Sequence, residues 1–110
     1  MRQILSFEQY LEKAAIYARA GDLIFMDVAL ENASRWSIIL NQDISTQRTE
    51  IEHTGYYHAI PLLLAQAQEY AQQYKLRRME SYLTDAKKYA SLVGEDISSK
   101  IREIRKITLN

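Results

Sequence analysis

The sequence predicts an all-α protein, an antiparallel helical bundle built from two copies of one three-helix unit. Helix breakers are few, with three glycines and one proline in 110 residues. Residues of good helix propensity fill the segments between them. No run of alternating β-branched residues bounded by turn signals competes with this interpretation.

The chain also matches itself without gaps when it is displaced by 53 residues. Positions 11 to 51 give 13 identities in 41 positions, where unrelated sequences give about two or three. Leu23, Met26 and Leu30 are among the repeated residues, and their spacing marks one face of an α-helix. We therefore expect a single domain, residues 1–110, with an internal repeat over about 7–54 and 60–107.

Each copy is expected to contain three helices separated by polar breaks. Gly21-Asp22 and Asn41-Gln42-Asp43 are the breaks of the first copy, and Asp43 is placed to cap the helix that follows. Gly94-Glu95-Asp96 repeats the second break in the second copy. The six predicted helices cover Phe7 to Ala20, Leu23 to Leu40, Ile44 to His53, Tyr57 to Gln73, Leu76 to Val93 and Ile97 to Ile107.

Two residues shape the predicted junction between the copies. Gly55 is the expected hinge, because no other glycine lies near the junction. Pro61 suits the first turn of a helix, where its missing N–H is unpaired anyway. The fourth helix is therefore expected to begin near Ile60.

The first two helices of each copy resemble the tetratricopeptide helical hairpin, whose signature begins W-x2-L-G-x2-Y and continues with A-x3-F. The matching positions are Tyr10, Lys13, Ala14, Tyr17, Gly21, Asp22, Leu23, Met26, Leu30 and Ala33, then Leu63, Gln66, Ala67, Tyr70, Leu76, Met79, Leu83 and Ala86. The chain departs from that family in its longer period, its third helix, and the replacement of the terminal proline by Ile38 and Ser91. Three helices per copy are also similar to the microtubule-interacting and trafficking domain. Both resemblances imply a module that binds peptides or helices of partner proteins.

Apolar residues on the second helix form a candidate interface. Ile24, Phe25, Val28 and Ile38 correspond to Arg77, Arg78, Ser81 and Ser91 of the second copy. A helix that is apolar on two sides is either central in its bundle or covered by another chain. The sequence leaves both interpretations open, and the second one predicts a protein partner or a homodimer.

Composition narrows the classes of function and location. The chain has no cysteine, so it forms neither a disulfide nor a thiolate metal site, as is usual for cytoplasmic proteins. Met1 to Ser6 contains no apolar run of signal length, and no window is apolar enough to span a membrane. We expect a cytoplasmic protein with no cofactor, no metal and no evident small-molecule substrate.

One pattern suggests catalysis. Arg48 and His53 form an R-x4-H spacing that resembles the motif of HEPN-type ribonucleases, which are helical and dimeric. The resemblance implies that the arginine stabilises a phosphate and the histidine transfers a proton. On an ideal helix the two side chains point about 140° apart, so they need a distorted helix end or a dimer to converge. A ribonuclease is therefore the alternative to a non-enzymatic interaction module.

Two further sites have simpler explanations. His53 and His58 flank Gly55, but no pair of ligands at i and i+4 supports a metal site. Residues 56–110 carry nine Lys or Arg against six Asp or Glu, so a nucleic-acid-binding helical protein is the third possibility. The zero net charge of the whole chain and the interleaved acidic residues favour a solvated surface instead.

Overall fold

The computed structural model describes residues 6–109, which form five α-helices, and the all-α prediction is confirmed. The expectation that Met1 to Ser6 contains no signal sequence concerns residues that, apart from Ser6, lie outside the described part of the chain. None of the helices described combines the length and hydropathy that crossing a membrane requires. The helices are α1 (Phe7–Arg19), α2 (Leu23–Ile39), α3 (Ser45–Gln72), α4 (Leu76–Val93) and α5 (Ser98–Ile107).

The contacts divide the chain into two compact units, the first ending at Gly55 and the second beginning at Tyr56. In the first unit, Ser6 begins α1 with a capping box, in which its side chain and that of Gln9 each accept the other's backbone N–H. Asp22 caps α2 by accepting the backbone N–H of Phe25 at 3.2 Å. These local signals set the hairpin of α1 and α2. Its buried side chains include Ala14, Ala18, Met26, Leu30 and Ala33.

The second unit contains the C-terminal part of α3 together with α4 and α5. Gly94 ends α4 in the left-handed conformation, with φ of 75°. One apolar cluster joins the three helices, which explains why each has an apolar face. The cluster consists of Ile60, Leu64, Ala67, Ala71, Met79, Leu83, Ala86, Ala90, Ile97, Ile101 and Ile104.

The prediction of six helices is wrong at the junction, because residues 45–72 form one continuous helix. Gly55 does not interrupt the helix, and within the first unit it lies against Leu23 and Met26 of α2. A Cβ at this position would overlap the sulfur of Met26. The glycine therefore serves the close approach of two helices.

The expected helix start near Ile60 is wrong for a related reason. Pro61 lies inside α3, where its missing N–H and its ring oppose helix by about 3 kcal/mol. Ile60 and Leu64, on either side of it, are both buried in the core of the second unit. Tertiary packing of these side chains offsets the local preference of the proline.

Corresponding positions in the two units have the same local geometry. The Tyr17 carbonyl accepts the N–H of Asp22 at 2.9 Å, and 53 residues later the Tyr70 carbonyl accepts the N–H of Lys75 at 2.9 Å. The residue before each of these donors has a positive φ, 70° at Gly21 and 55° at Tyr74. The first turn of both units therefore closes by the same hydrogen bond.

The second turn of each unit repeats in the same way. Asn41 and Gly94, again 53 residues apart, have φ of 54° and 75°. The carboxylate of Asp43 accepts the N–H of Ser45 at 2.9 Å, and that of Asp96 accepts the N–H of Ser98 at 3.0 Å. The helix α3 begins at Ser45, one residue later than the predicted start at Ile44, and Asp43 binds this first residue.

Candidate interaction surface on the second helix

The second helix, α2, has one buried face and one exposed apolar face. Met26, Leu30 and Ala33 are fully buried, in keeping with their helical spacing. The predicted interface residues lie away from this core, with Ile24 77%, Phe25 54%, Val28 54% and Ile38 79% exposed. Central packing of these four side chains, the first interpretation of the sequence, is therefore not what the structure shows.

The exposed side of α2 carries a regular row of side chains that we call the α2 stripe. It consists of Ile24, Val28, Glu31, Arg35 and Ile38, all exposed and separated by 4, 3, 4 and 3 residues. Such spacing keeps side chains in line along one side of a helix and is the pattern by which helices pair lengthwise. The stripe has apolar ends and two opposite charges at its centre.

Other exposed apolar side chains border the α2 stripe. Ile39 extends the apolar surface at the C-terminal end of the helix, where it is exposed. Phe25 stacks on Tyr17 of α1 with ring centroids 5.3 Å apart. This contact fixes the phenyl ring beside the stripe while part of it remains open to solvent.

The corresponding side of α4 in the second unit is polar. The residues 53 positions after the stripe are Arg77, Ser81, Thr84, Lys88 and Ser91, all exposed. The buried faces of α2 and α4 are alike, since Met79, Leu83 and Ala86 repeat Met26, Leu30 and Ala33. The apolar exposed face is thus particular to α2 and is not a requirement of the helical hairpin.

Arg48, a candidate catalytic residue, is held by side chains of the first unit. Its guanidinium donates to Ser34 Oγ at 2.6 Å and to Glu31 Oε1 at 3.3 Å, and its Nε lies 3.4 Å from Glu52 Oε1. The corresponding residue of the second unit is Ile101, which is buried. At this position the second unit therefore has a buried apolar side chain, whereas the first unit has an arginine held by hydrogen bonds and salt bridges.

Acidic side chains outnumber Arg48 around this position. Partial burial raises the pKa of Asp27, the negative charge of Glu52 raises it further, and the Arg48 guanidinium lowers it. Glu31, whose side chain is 60% exposed, also raises the pKa of Asp27. The region beside the α2 stripe is therefore negatively charged and favours a further cation.

The structure does not supply the distorted helix end that the ribonuclease pattern requires. Arg48 and His53 lie on the unbroken helix α3, where five residues place their side chains about 140° apart. A phosphate at Arg48 would compete with the carboxylates of Glu31 and Glu52 for the guanidinium. The ribonuclease alternative stays a prediction.

The remaining sequence candidates have the following surroundings. The ring of His58 lies edge-on to that of Tyr57, with centroids 5.4 Å apart. Within residues 6–109, no three side chains of His, Asp or Glu come together as metal ligands would. A metal site at the two histidines thus gains no support from neighbouring carboxylates.

Several basic residues of the second unit are engaged within that unit. Arg105 forms a two-pronged salt bridge to Glu80, both bonds at 2.9 Å, and this hydrogen bonding lowers the pKa of Glu80. The guanidinium of Arg78 lies over the ring of Tyr70, 5.6 Å from its centroid. An open groove of about 590 Å³ between α4 and α5 is lined by Lys87 and Arg102 as well as by acidic residues. Its mixed charge gives no preference for a polyanion.

Sequence reasoning found the apolar residues of α2 but not the charged centre of the stripe. Taken singly, Glu31 and Arg35 are ordinary exposed charged residues. Their significance lies in their alignment with Val28 and Ile38. The 4-3-4-3 spacing was the signal that could have identified them. In comparisons with known proteins, the chain matches no protein-family model, no curated protein and no solved structure.

Proposed function

We propose that the protein is a non-enzymatic interaction module that binds another polypeptide through the exposed apolar face of α2. The observation that carries this proposal is the contrast between the two units. Ile24, Val28 and Ile38 are more than half exposed on α2, whereas α4 has polar residues at the same positions. Exposed apolar patches mark interaction sites in many proteins.

The magnitude of the apolar surface supports the same conclusion. Full burial of a valine, leucine, isoleucine or phenylalanine side chain contributes about 1.5 to 3 kcal/mol. Four side chains that are about half exposed or more therefore leave several kcal/mol available to a partner, before the cost of association. Folding of the chain does not use this surface, so we propose that binding does.

We also propose that the chain contains two copies of one helical unit, with a hairpin of the tetratricopeptide or microtubule-interacting and trafficking type in each. The sequence identities at an offset of 53 support this, as do the paired turn geometries. In such a doubled chain, shared residues hold the fold and differing residues specialise one copy. We propose the cytoplasm as the setting because the chain has no cysteine.

Capture of partners from the native cell tests the function. The double variant Ile24→Ser and Ile38→Ser removes the apolar ends of the α2 stripe without touching the core. Arg77→Ser and Ser91→Ala together provide the matched control at the corresponding positions of α4. We expect a bound protein that the first variant loses and the control retains, and whose binding is then reproduced with purified components.

The proposal fails if neither a foreign protein nor a second copy of the chain binds in a way that depends on Ile24 and Ile38. Circular dichroism of both variants shows that a loss of binding is not a loss of fold. A partner bound equally well by wild type and the Ile24 and Ile38 variant would assign the interaction to another surface.

A further inference from the structure

We propose that the α2 stripe binds the same stripe of a second copy of this chain, with the two α2 helices antiparallel and related by a twofold axis. This inference rests on the proposed function and names the partner. The contact is isologous, so each pair of facing residues occurs twice.

The spacing of the stripe defines the register of this contact. When two such stripes run in opposite directions, placing Val28 of one copy opposite Ile38 of the other also places Glu31 opposite Arg35. The same alignment read from the second copy gives Arg35 opposite Glu31 and Ile38 opposite Val28. Two salt bridges thus form at the centre, with an apolar pair on each side.

Ile24 lies one turn of helix beyond Val28. In this register it comes to the level of Gln42 of the other copy, beyond the last turn of its α2 helix. Ile24 is exposed in the single chain.

The charges favour this arrangement over the alternatives. Arg35 is exposed and makes no salt bridge within the described part of the chain. The carboxylate of Glu31 is exposed, it raises the pKa of Asp27, and it shares the Arg48 guanidinium with Glu52. A second cation is therefore favourable at Glu31. A parallel pair would instead place Glu31 against Glu31 and Arg35 against Arg35, which repel.

The same charges disfavour other occupants of the face. A lipid surface would have to accept Glu31 and Arg35 between Val28 and Ile38, at the cost of removing both charges from water. Any partner helix must present apolar, basic, acidic and apolar residues at the same spacing, when they are read along the direction of the first α2 helix. A second copy that runs antiparallel presents its own stripe in this order.

The length of the contact sets the expected affinity. The stripe covers about 14 residues of helix, which is about 21 Å. One pair of helices of this length buries less than the roughly 800 Å² per partner of a standard interface. We therefore expect a dimer with a dissociation constant in the range of about 1 to 100 µM.

Sedimentation velocity and light scattering on the full chain measure this association. Wild type is expected to change from monomer to dimer as its concentration rises to about 200 µM. Arg35→Glu places a second carboxylate against Glu31 at both ends of the charged centre and is expected to weaken the dimer about 10- to 100-fold. Lys88→Glu, the same change at the corresponding position of α4, is expected to leave it unchanged.

A mixture of two variants tests the pairing of charges. Arg35→Glu and Glu31→Arg each oppose their own dimer, but a mixed dimer restores both salt bridges. We expect the equimolar mixture to dimerise at least about tenfold more tightly than either variant alone. Circular dichroism confirms that Glu31→Arg, which also changes the contact to Arg48, remains folded.

The absence of cysteine allows a direct test of the antiparallel register. Val28→Cys and Ile38→Cys, mixed and oxidised, are expected to give a disulfide-linked dimer in high yield, because the two positions face one another. Each variant alone is expected to give little. A parallel pair would reverse this result, since each cysteine would then face its own copy.

Several outcomes overturn the inference. These are a wild type that remains monomeric up to about 200 µM, a dimer unaffected by Arg35→Glu, and cross-linking of each cysteine variant with itself alone. A monomeric chain that still binds a foreign protein through Ile24 and Ile38 would overturn this inference alone and leave the proposed function in place.

Discussion

Replacing Gly55 by alanine tests whether close packing explains the glycine inside α3. Glycine costs a helix about 1 kcal/mol relative to alanine, so the substitution alone would stabilise the protein. In this structure the added methyl group would overlap the sulfur of Met26 and lie 3.1 Å from Leu23 Cδ2. Met26 is fully buried, so its side chain has little space into which to move.

The two effects have opposite signs, and their magnitudes decide the outcome. Overpacking of a core by one methyl group costs about 1 to 3 kcal/mol. Subtracting the gain in helix propensity, we expect Gly55→Ala to lower the free energy of unfolding by about 1 kcal/mol. If Met26→Ala first removes the obstructing sulfur, the same change at Gly55 is expected to raise it by about 1 kcal/mol.

Urea denaturation followed by circular dichroism measures all four members of this cycle. We expect a coupling free energy of about 2 kcal/mol between the two positions. Met79→Ala, which removes the corresponding methionine of the second unit, provides the matched control and is expected to leave the effect of Gly55→Ala unchanged. A stabilising Gly55→Ala in the wild-type background would refute the packing argument. So would equal effects in the wild-type and Met26→Ala backgrounds.

Three further predictions concern single side chains, measured at concentrations where the chain is monomeric. Arg48→Ala is expected to lower the free energy of unfolding by about 1 to 2 kcal/mol in urea, because the acidic residues around it lose their cation. Glu80→Gln is expected to be less stable than wild type at neutral pH, since the salt bridge to Arg105 is lost. The difference in unfolding free energy should shrink as the pH falls below 4.5, the ordinary pKa of the carboxyl group, because Glu80 is bound to Arg105 only when ionised. Gly94→Ala is expected to lower the free energy of unfolding by about 1 to 2 kcal/mol, because φ is 75° there. A Cβ at this position would meet no neighbour, so the loss would come from the backbone conformation alone.

A specific experimental result would contradict each of these predictions. Arg35→Ala removes an arginine without a salt bridge and should change stability by less than about 0.5 kcal/mol; an equal loss for Arg48→Ala would contradict its assigned role. A Glu80→Gln difference that persists through the acidic range would show that charge is not its cause. An unchanged thermal midpoint for Gly94→Ala would argue against backbone strain at that turn.

The helices that the sequence predicted well are those with local signals. Asp22 caps α2 and Gly94 ends α4 through contacts within a few residues, so composition and spacing were sufficient. The junction was predicted wrongly because its determinants are not local. Gly55 was interpreted as a break, yet its effect depends on Met26, which is 29 positions earlier in the chain.

The candidate surface shows the same division. The apolar residues of α2 were recognised from a comparison of the two halves, but their exposure depends on which face of the helix the core covers. The role of Arg48 was hidden for a similar reason. Its partners Glu31 and Ser34 are on another helix, and a short sequence motif does not reveal such a contact.

The burial of the two methionines provides a probe of each unit separately. Met26 and Met79 occupy corresponding positions, both are buried, and with no cysteine they contain all the sulfur of residues 6–109. Peroxide oxidises a thioether only when it can reach it, so each methionine should react only when its own unit opens. Mass spectrometry of the two tryptic peptides would then report the opening of the first and second units in one experiment, without any introduced label.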